Sequence, residues 1–368
     1  MDIPLVDLKA QYASIKPEID KVIDNVLTNT SFILGPLVKD FENNLAKFCS
    51  CKHAIGTSSG TSALFLALKA YGVKEGDEVI TAPNSFIATA EAIIHCGATP
   101  VFVDVDEETM LIDPTKIKEK ITPKTKGIIP VHLYGQICEM EAIMKIAEEH
   151  KLFIIEDAAQ AINAEYIWKK LPLSETAIFS FFPAKNLGAY GDAGAVITNN
   201  EDVAKKVLKL RDHGRIGKYE SDMIGYGARL DALQAAVLNA KLQYLSSWTT
   251  MRRYNSHLYN QLLADQPGLI IPCEAEHRKN VYYMYVIRTK HRDVLMDKLK
   301  MKGVSCGIHY PVPLHLQHAL AFLGYKEGDF PIAEKAAKEI LSLPMYPELT
   351  PEQIKYVVAS IKEVMKDV

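Results

Sequence analysis

Residues 180–196 read SFFPAKNLGAYGDAGAV. Lys185 follows Phe181, Phe182 and Pro183, and glycines Gly188, Gly191 and Gly194 come after it at spacings of three. Lysine is ordinarily a surface residue. Here it follows a short apolar strand pattern, AIFSFFP, and opens a glycine-dense turn leading to a second one, GAVITN. A lysine held in apolar surroundings loses solvation of its charged form, so its amine becomes nucleophilic. That is the state a Schiff-base lysine needs. On this stretch alone, a lysine that merely caps a turn reads equally well.

Upstream, strand and helix patterns alternate. Val38, Phe41, Leu45 and Phe48 recur at helical spacing, and a second helical run follows the small-residue turn GTSSGTS. DEVITAP, TPVFVDV, TKGIIPVHLYG and KLFIIEDAA read as short strands, separated by the helical SFIATAEAIIHCGA and EMEAIMKIAEEH. This texture predicts βαβ units and a mostly parallel sheet flanked by helices. From about residue 246 it changes to a long helix (SSWTTMRRYNSHLYNQLL), a strand (NVYYMYVIRT) and two more helices (RDVLMDKLKMKG, EQIKYVVASIKEVM). The division expected is a large α/β domain over 1–245 and a smaller α+β domain over 246–368.

The totals narrow the class. Hydrophobic residues make up 48% and charged residues 24%, and the net charge is 42 − 45 = −3. Without a basic stripe, nucleic acid is not an expected partner. The opening MDIPLVDLKAQY has no apolar core of a secretory signal, and no run of about 18 apolar residues marks a membrane span. Cys49, Cys51, Cys96, Cys138, Cys273 and Cys306 lack zinc-site spacing and read as free thiols in a reducing cytoplasm.

In open α/β sheets ligands collect beyond the carboxyl ends of the strands. Asp157 ends the strand pattern LFIIED, 185 − 157 = 28 residues before the lysine. A pyridoxal phosphate site needs such a carboxylate to keep the pyridine nitrogen protonated, which makes the ring an electron sink. Gln160 could reach a ring substituent. In GTSSGTSAL (residues 56–64) small hydroxyl residues and glycine precede a helix, which suits phosphate as well as a plain N-cap. Ser180 could add a phosphate donor. Phe86 could stack on a flat cofactor or simply belong to the core.

The order of these residues, with FILGPLVKDFENNLAKFC, PVHLYGQ, IIEDAAQA, FSFFPAKNLGAYGDAGA, RLDALQAAVL, HYPVPLHLQ and LSLPMYPELT, resembles the DegT/StrS family of nucleotide-sugar aminotransferases over nearly the whole chain. The resemblance implies a fold-type I PLP-dependent transferase, with Lys185 as Schiff-base lysine and proton shuttle. It implies Asp157 on the pyridine nitrogen and Gln160 near the ring hydroxyl. Gly60, Thr61 and Ser180 would bind the phosphate, and Phe86 would stack on the ring. Arg229 would meet a carboxylate or diphosphate. His309, Tyr310 and His315 would border the nucleotide-sugar pocket, although His315 reads equally as packing at the domain junction. His132 would lie near the cofactor face or be structural.

The implied reaction passes an amino group from L-glutamate to a keto sugar, in a homodimer with sites at its interface. Gly227 stands where the family usually has an asparagine that reaches the neighbour's cofactor phosphate, and Asn163 replaces a glycine. The wording RLDALQAAVL favours amination at C3. Amination at C4, or of a keto-cyclitol, is the alternative.

Overall fold

The apolar runs of the first two thirds form one seven-stranded sheet in this computed structural model, which describes residues 1–366. Its strands are β1 (His53–Thr57), β2 (Glu78–Thr81), β3 (Thr99–Phe102), β4 (Thr125–Ile129), β5 (Phe153–Asp157), β6 (Thr176–Ser180) and β7 (Gly194–Thr198). They lie in the order β1-β7-β6-β5-β4-β2-β3. Strands β2 to β6 run parallel. β7 is antiparallel to both β6 and β1, with Ser180 opposite Gly194. The cause lies in the connection: no crossover helix separates β6 from β7, so the chain returns alongside itself. That helix-free return is the segment that carries Lys185.

The strands are buried on both faces, as a helix-covered sheet requires. One layer packs the helix Gly60–Ala70 and the helix Glu201–Leu210 against Ile55, Ile155, Ile178 and Val196. The other packs helices Pro36–Cys49 and Ala232–Leu242 against Phe179, Ala195 and Ile197. Helix Pro36–Cys49 starts with proline in its first turn and ends at Ser50 in the left-handed region, so the expected spacing of Val38, Phe41 and Leu45 becomes its buried face.

The C-terminal third forms its own apolar core from Tyr259, Tyr285, Leu295, Leu341 and Val357. Helices Leu245–Leu263, Arg292–Met301 and Pro351–Met365 surround a two-stranded ladder of β8 (Tyr285–Arg288) and β9 (Ile340–Leu343). The strand expected over 280–289 is shorter than its sequence pattern. Tyr282 sits at φ 45°, and the polypeptide before β8 follows an irregular path. The N-terminus joins this unit rather than the large one. Ile3 is buried in the same core, its N–H donates to the Gly303 carbonyl at 2.8 Å, and the Ser305 N–H donates to the Ile3 carbonyl at 2.9 Å. Among the described residues no helix is long and apolar enough to cross a membrane, and no cluster of side chains could hold a metal ion.

Candidate active site

The carboxyl ends of β4, β5 and β6 open into a cavity of about 520 Å³ that Lys185, Asp157 and Ser180 all line. The Lys185 turn is fixed at two backbone points. Lys185 N–H donates to the Phe182 carbonyl at 2.8 Å, and Ala189 N–H donates to the Phe181 carbonyl at 2.8 Å. The turn is too tight for a side chain at Gly188, where a Cβ would lie 2.1 Å from the Pro183 carbonyl oxygen. The lysine Nζ ends up 4.3 Å from the centre of the Tyr283 ring. Burial pushes its pKa down to about 8, opposed by the charge of Asp157. A sizeable fraction of this amine is therefore neutral near physiological pH.

Asp157 is the last residue of β5 and is buried. Thr89 Oγ1 donates to its Oδ2 at 2.8 Å, and the Ala159 N–H donates to its Oδ1 at 3.2 Å. Burial raises its pKa above the ordinary carboxylate range, while the Thr89 and Ala159 hydrogen bonds and the charge of Lys185 oppose the rise. Its hydrogen bonds come from a hydroxyl and an amide rather than from a cation. A buried carboxylate of this kind is a seat for a positively charged group, as a protonated pyridine nitrogen would be.

The phosphate end of such a ligand also fits. Gly60 and Thr61 begin the helix Gly60–Ala70, where the first amides have no intrahelical acceptor. A Cβ on Gly60 would stand 2.7 Å from the Ser180 Cβ, so only glycine lets β6 and this helix start approach so closely. Ser59 is occupied in the cap, accepting from the Ser62 N–H at 3.0 Å.

Phe86 lies across the cavity and is 52% exposed, too open for a core residue. Its ring centre is 5.6 Å from that of Tyr310, tilted by 40°. Gln160 is clamped: its Oε1 accepts from the Tyr134 N–H at 2.7 Å, and its Nε2 donates to the Tyr310 hydroxyl at 3.3 Å. His309 and Tyr310 line the cavity from the C-terminal unit. His309 Nδ1 lies 2.9 Å from Ser342 Oγ. Burial, with Lys185 nearby, pushes the His309 pKa down to about 4, so its ring is neutral at physiological pH.

Three expected positions lie elsewhere. His315 does not reach the cavity. It is buried against Phe330, with Nε2 3.0 Å from Glu334 Oε1. His132 does not line the cavity either; it is buried between Glu156 Oε2 at 3.0 Å and the Cys138 N–H at 3.2 Å. Arg229 lies outside the cavity of a single chain and pairs with Asp212 at 2.7 Å. The two unusual positions have local accounts. Asn163 adopts φ 69°, and its Nδ2 donates to Thr249 Oγ1 at 3.0 Å. At Gly227 the His213 ring fills the space where a side chain would start, 3.3 Å from an added Cβ.

Sequence reasoning missed Thr89, Tyr283 and the apolar wall formed by Leu5, Val6, Met284 and Met345. Thr89 carried a usable signal, since Ser85 and Thr89 are one helical turn apart and their hydroxyls lie 2.8 Å from each other. Tyr283 was hidden in an apparent strand. Leu5 and Val6 are far from every other site residue in sequence.

A lysine and a carboxylate at neighbouring strand ends, with a helix start beside them, define the class of pyridoxal-phosphate enzymes built on a parallel sheet. The sequence profile of the DegT/DnrJ/EryC1/StrS aminotransferase family matches residues 13–362. A pleiotropic regulatory protein from Geobacillus stearothermophilus is 50% identical over 366 residues, covering 99% of this chain and 98% of its own. A dTDP-3-amino-3,4,6-trideoxy-alpha-D-glucose transaminase from Streptomyces venezuelae is 40% identical, covering 98% and 96%. The crystal structure of S. venezuelae DesV in complex with a ketimine intermediate superposes with a TM-score of 0.98 at 39% identity, over 100% of this chain and 99% of that one. Bacillus subtilis ntda, with bound cofactor pmp, gives a TM-score of 0.90 at 33% identity, over 98% and 83%. The chain belongs to the DegT/DnrJ/EryC1/StrS aminotransferase family, whose cofactor is pyridoxal phosphate.

Proposed function

We propose that this aminotransferase moves an amino group from L-glutamate to the C3 keto group of a nucleotide-linked sugar. The observation that carries the reading is the meeting of Lys185, Asp157, Ser180 and the Gly60 helix start in one cavity. When bound, pyridoxal phosphate supplies an electrophilic carbon that exchanges amines and a ring that accepts electrons as a substrate C–H bond breaks.

The protein's own groups have distinct tasks. Lys185 Nζ would hold the cofactor through its electrophilic carbon. Its amine, with a pKa lowered by burial, would take up and release the proton that the reaction moves. Asp157, oriented by Thr89, would keep a proton on the ring nitrogen. Gly60, Thr61 and Ser180 would hold the phosphate, and Phe86 would lie against the ring. Gln160, held by Tyr134 and Tyr310, would meet the ring's polar substituent. His309 and Tyr310 border the substrate side, where a neutral His309 can hydrogen-bond to sugar hydroxyls without adding charge. The apolar wall of Leu5, Val6, Met284 and Met345 excludes water from the reacting centre.

The choice of C3 draws support from residues 229–238, RLDALQAAVL, and from relatives whose names place the amino or oxo group at position 3. A homodimer belongs to the same reading. Among the described residues no arginine lines the cavity of one chain, yet glutamate and a diphosphate both carry negative charge. Arg229, beside an exposed loop bearing Ile216, Tyr219 and Ile224, is the candidate that a second copy would bring. A cytoplasmic setting agrees with the six free thiols.

The test is an absorbance experiment on protein loaded with pyridoxal phosphate. Glutamate should bleach the visible band of the lysine-bound cofactor, and a 3-keto nucleotide sugar should restore it. Restoration by 4-keto sugars alone would replace the C3 assignment with C4. Bleaching that only a free keto-cyclitol reverses would remove the nucleotide. Failure of glutamate to bleach the band would overturn the donor assignment.

A further inference from the structure

A second lysine lies buried behind the first. Lys241, in the helix Ala232–Leu242, is 1% exposed and does not line the cavity. Its Nζ donates to the Gly188 carbonyl at 2.8 Å and to Gln11 Oε1 at 3.0 Å, and it stands 4.2 Å from the centre of the Tyr190 ring. Desolvation pushes its pKa down to about 8, opposed only by the charge of Glu348. Enclosing a lysine in this way is unfavourable, and an apolar side chain of the same length would fill the space without that cost. A donor at this position is therefore retained for the acceptors it meets rather than for apolar packing.

The Gly188–Ala189 peptide is the far anchor of the Lys185 turn. Its N–H donates to the Phe181 carbonyl at 2.8 Å, and its C=O accepts from Lys241. The same helix takes hold one residue later, where the Tyr190 N–H donates to Gln234 Oε1 at 2.8 Å. Gly188 is already pressed against the Pro183 carbonyl, so any swing of this peptide moves the segment carrying the Lys185 side chain. Gln11 extends the link to the N-terminal segment, in which Leu5 and Val6 wall the cavity. Glu348 lies in the C-terminal unit three residues after Met345, another cavity residue.

We propose that Lys241 is a positioning residue: by gripping the Gly188 carbonyl and Gln11 it fixes the turn that aims Lys185 into the cavity and ties that turn to the chain's N-terminal segment. The catalytic consequence rests on the reading of Lys185 given above, but the conformational one does not. The experiment therefore has two arms. In the first, amide hydrogen exchange is followed by mass spectrometry in cofactor-free protein, comparing wild type with Lys241→Met. Exchange over residues 182–190 should quicken about tenfold or more, while β1 and β7 keep wild-type protection. In the second, on loaded protein, kcat should fall about tenfold or more with KM for both substrates within about twofold, because geometry and not binding is lost.

Wild-type exchange over 182–190 in Lys241→Met would overturn the proposal, whatever the enzyme's substrate proves to be. Altered exchange with unchanged kcat would overturn the catalytic part alone. If Lys241→Met does not fold, Gln11→Ala keeps the lysine and removes one of its two acceptors. It should shift both readouts in the same direction by about threefold, and wild-type values in both would again overturn the proposal.

Discussion

Thr89→Val is the substitution whose effect the structure defines most closely. The change keeps the shape of the side chain and removes one hydroxyl. That hydroxyl donates to Asp157 Oδ2 at 2.8 Å and lies 2.8 Å from Ser85 Oγ. Hydrogen bonds to charged groups contribute about 1.5–3 kcal/mol net. At about 1.4 kcal/mol per tenfold, that corresponds to a loss of about 10- to 150-fold if the bond matters equally in the transition state. The direction follows from the carboxylate's surroundings. Burial already raises the Asp157 pKa, and Thr89 is the strongest group opposing it. Without the donor the carboxyl is more readily protonated and can no longer hold a cation on the ring nitrogen. The rate of the glutamate half-reaction, read from bleaching of the visible band, should fall, and fall further as the pH is lowered from about 9 to about 6. Thr89→Ser should restore most of the rate, since the donor returns. Thermal unfolding of each variant separates this effect from general loss of stability. A Thr89→Val protein with the wild-type rate and pH profile would refute the role given to Thr89 in keeping Asp157 ionised.

Other consequences are equally direct. Gly60→Ala forces a Cβ to within 2.7 Å of the Ser180 Cβ, so equilibrium dialysis should show cofactor affinity reduced about tenfold or more; unchanged affinity would remove the phosphate cradle. Because burial pushes the Lys185 pKa down from 10.5 to about 8, cofactor capture by the empty protein should accelerate as the pH rises through that value and then level off. Lys185→Ala should show no visible band and no turnover at any pH. His315→Ala should lower stability by about 1–3 kcal/mol through the loss of the Glu334 partner, yet leave kcat/KM within about twofold; a large fall in kcat/KM at wild-type stability would return His315 to the substrate site.

The 50%-identical relative described as a regulatory protein makes the state of the proposed catalytic groups decisive. A chain that kept only the fold would have no need of a desolvated lysine facing a buried carboxylate across one cavity. Both are in place here, at the ends of adjacent strands.

The amino-acid sequence alone determined the parallel sheet, the lysine turn and the strand-end carboxylate. Each is a local matter: hydrophobic period, glycine spacing and a polar residue ending an apolar run lie within a few positions of one another. The same holds for the Gly60 helix start, whose serines and glycine are contiguous. What the sequence left open depends on direction and distance. His132 and His315 each read as a site residue or as a structural one, because only packing decides which way an imidazole faces. Both face buried carboxylates, Glu156 and Glu334. Tyr283 reached the cavity because the chain leaves the strand pattern at Tyr282, a backbone event with no marker in a tyrosine-rich run. Leu5, Val6 and Lys241 serve the Lys185 region from positions 180, 179 and 56 residues away. No periodicity spans such gaps. Their part in the site exists only because burial of apolar surface draws the N-terminal segment, the helix Ala232–Leu242 and the C-terminal unit around one cavity.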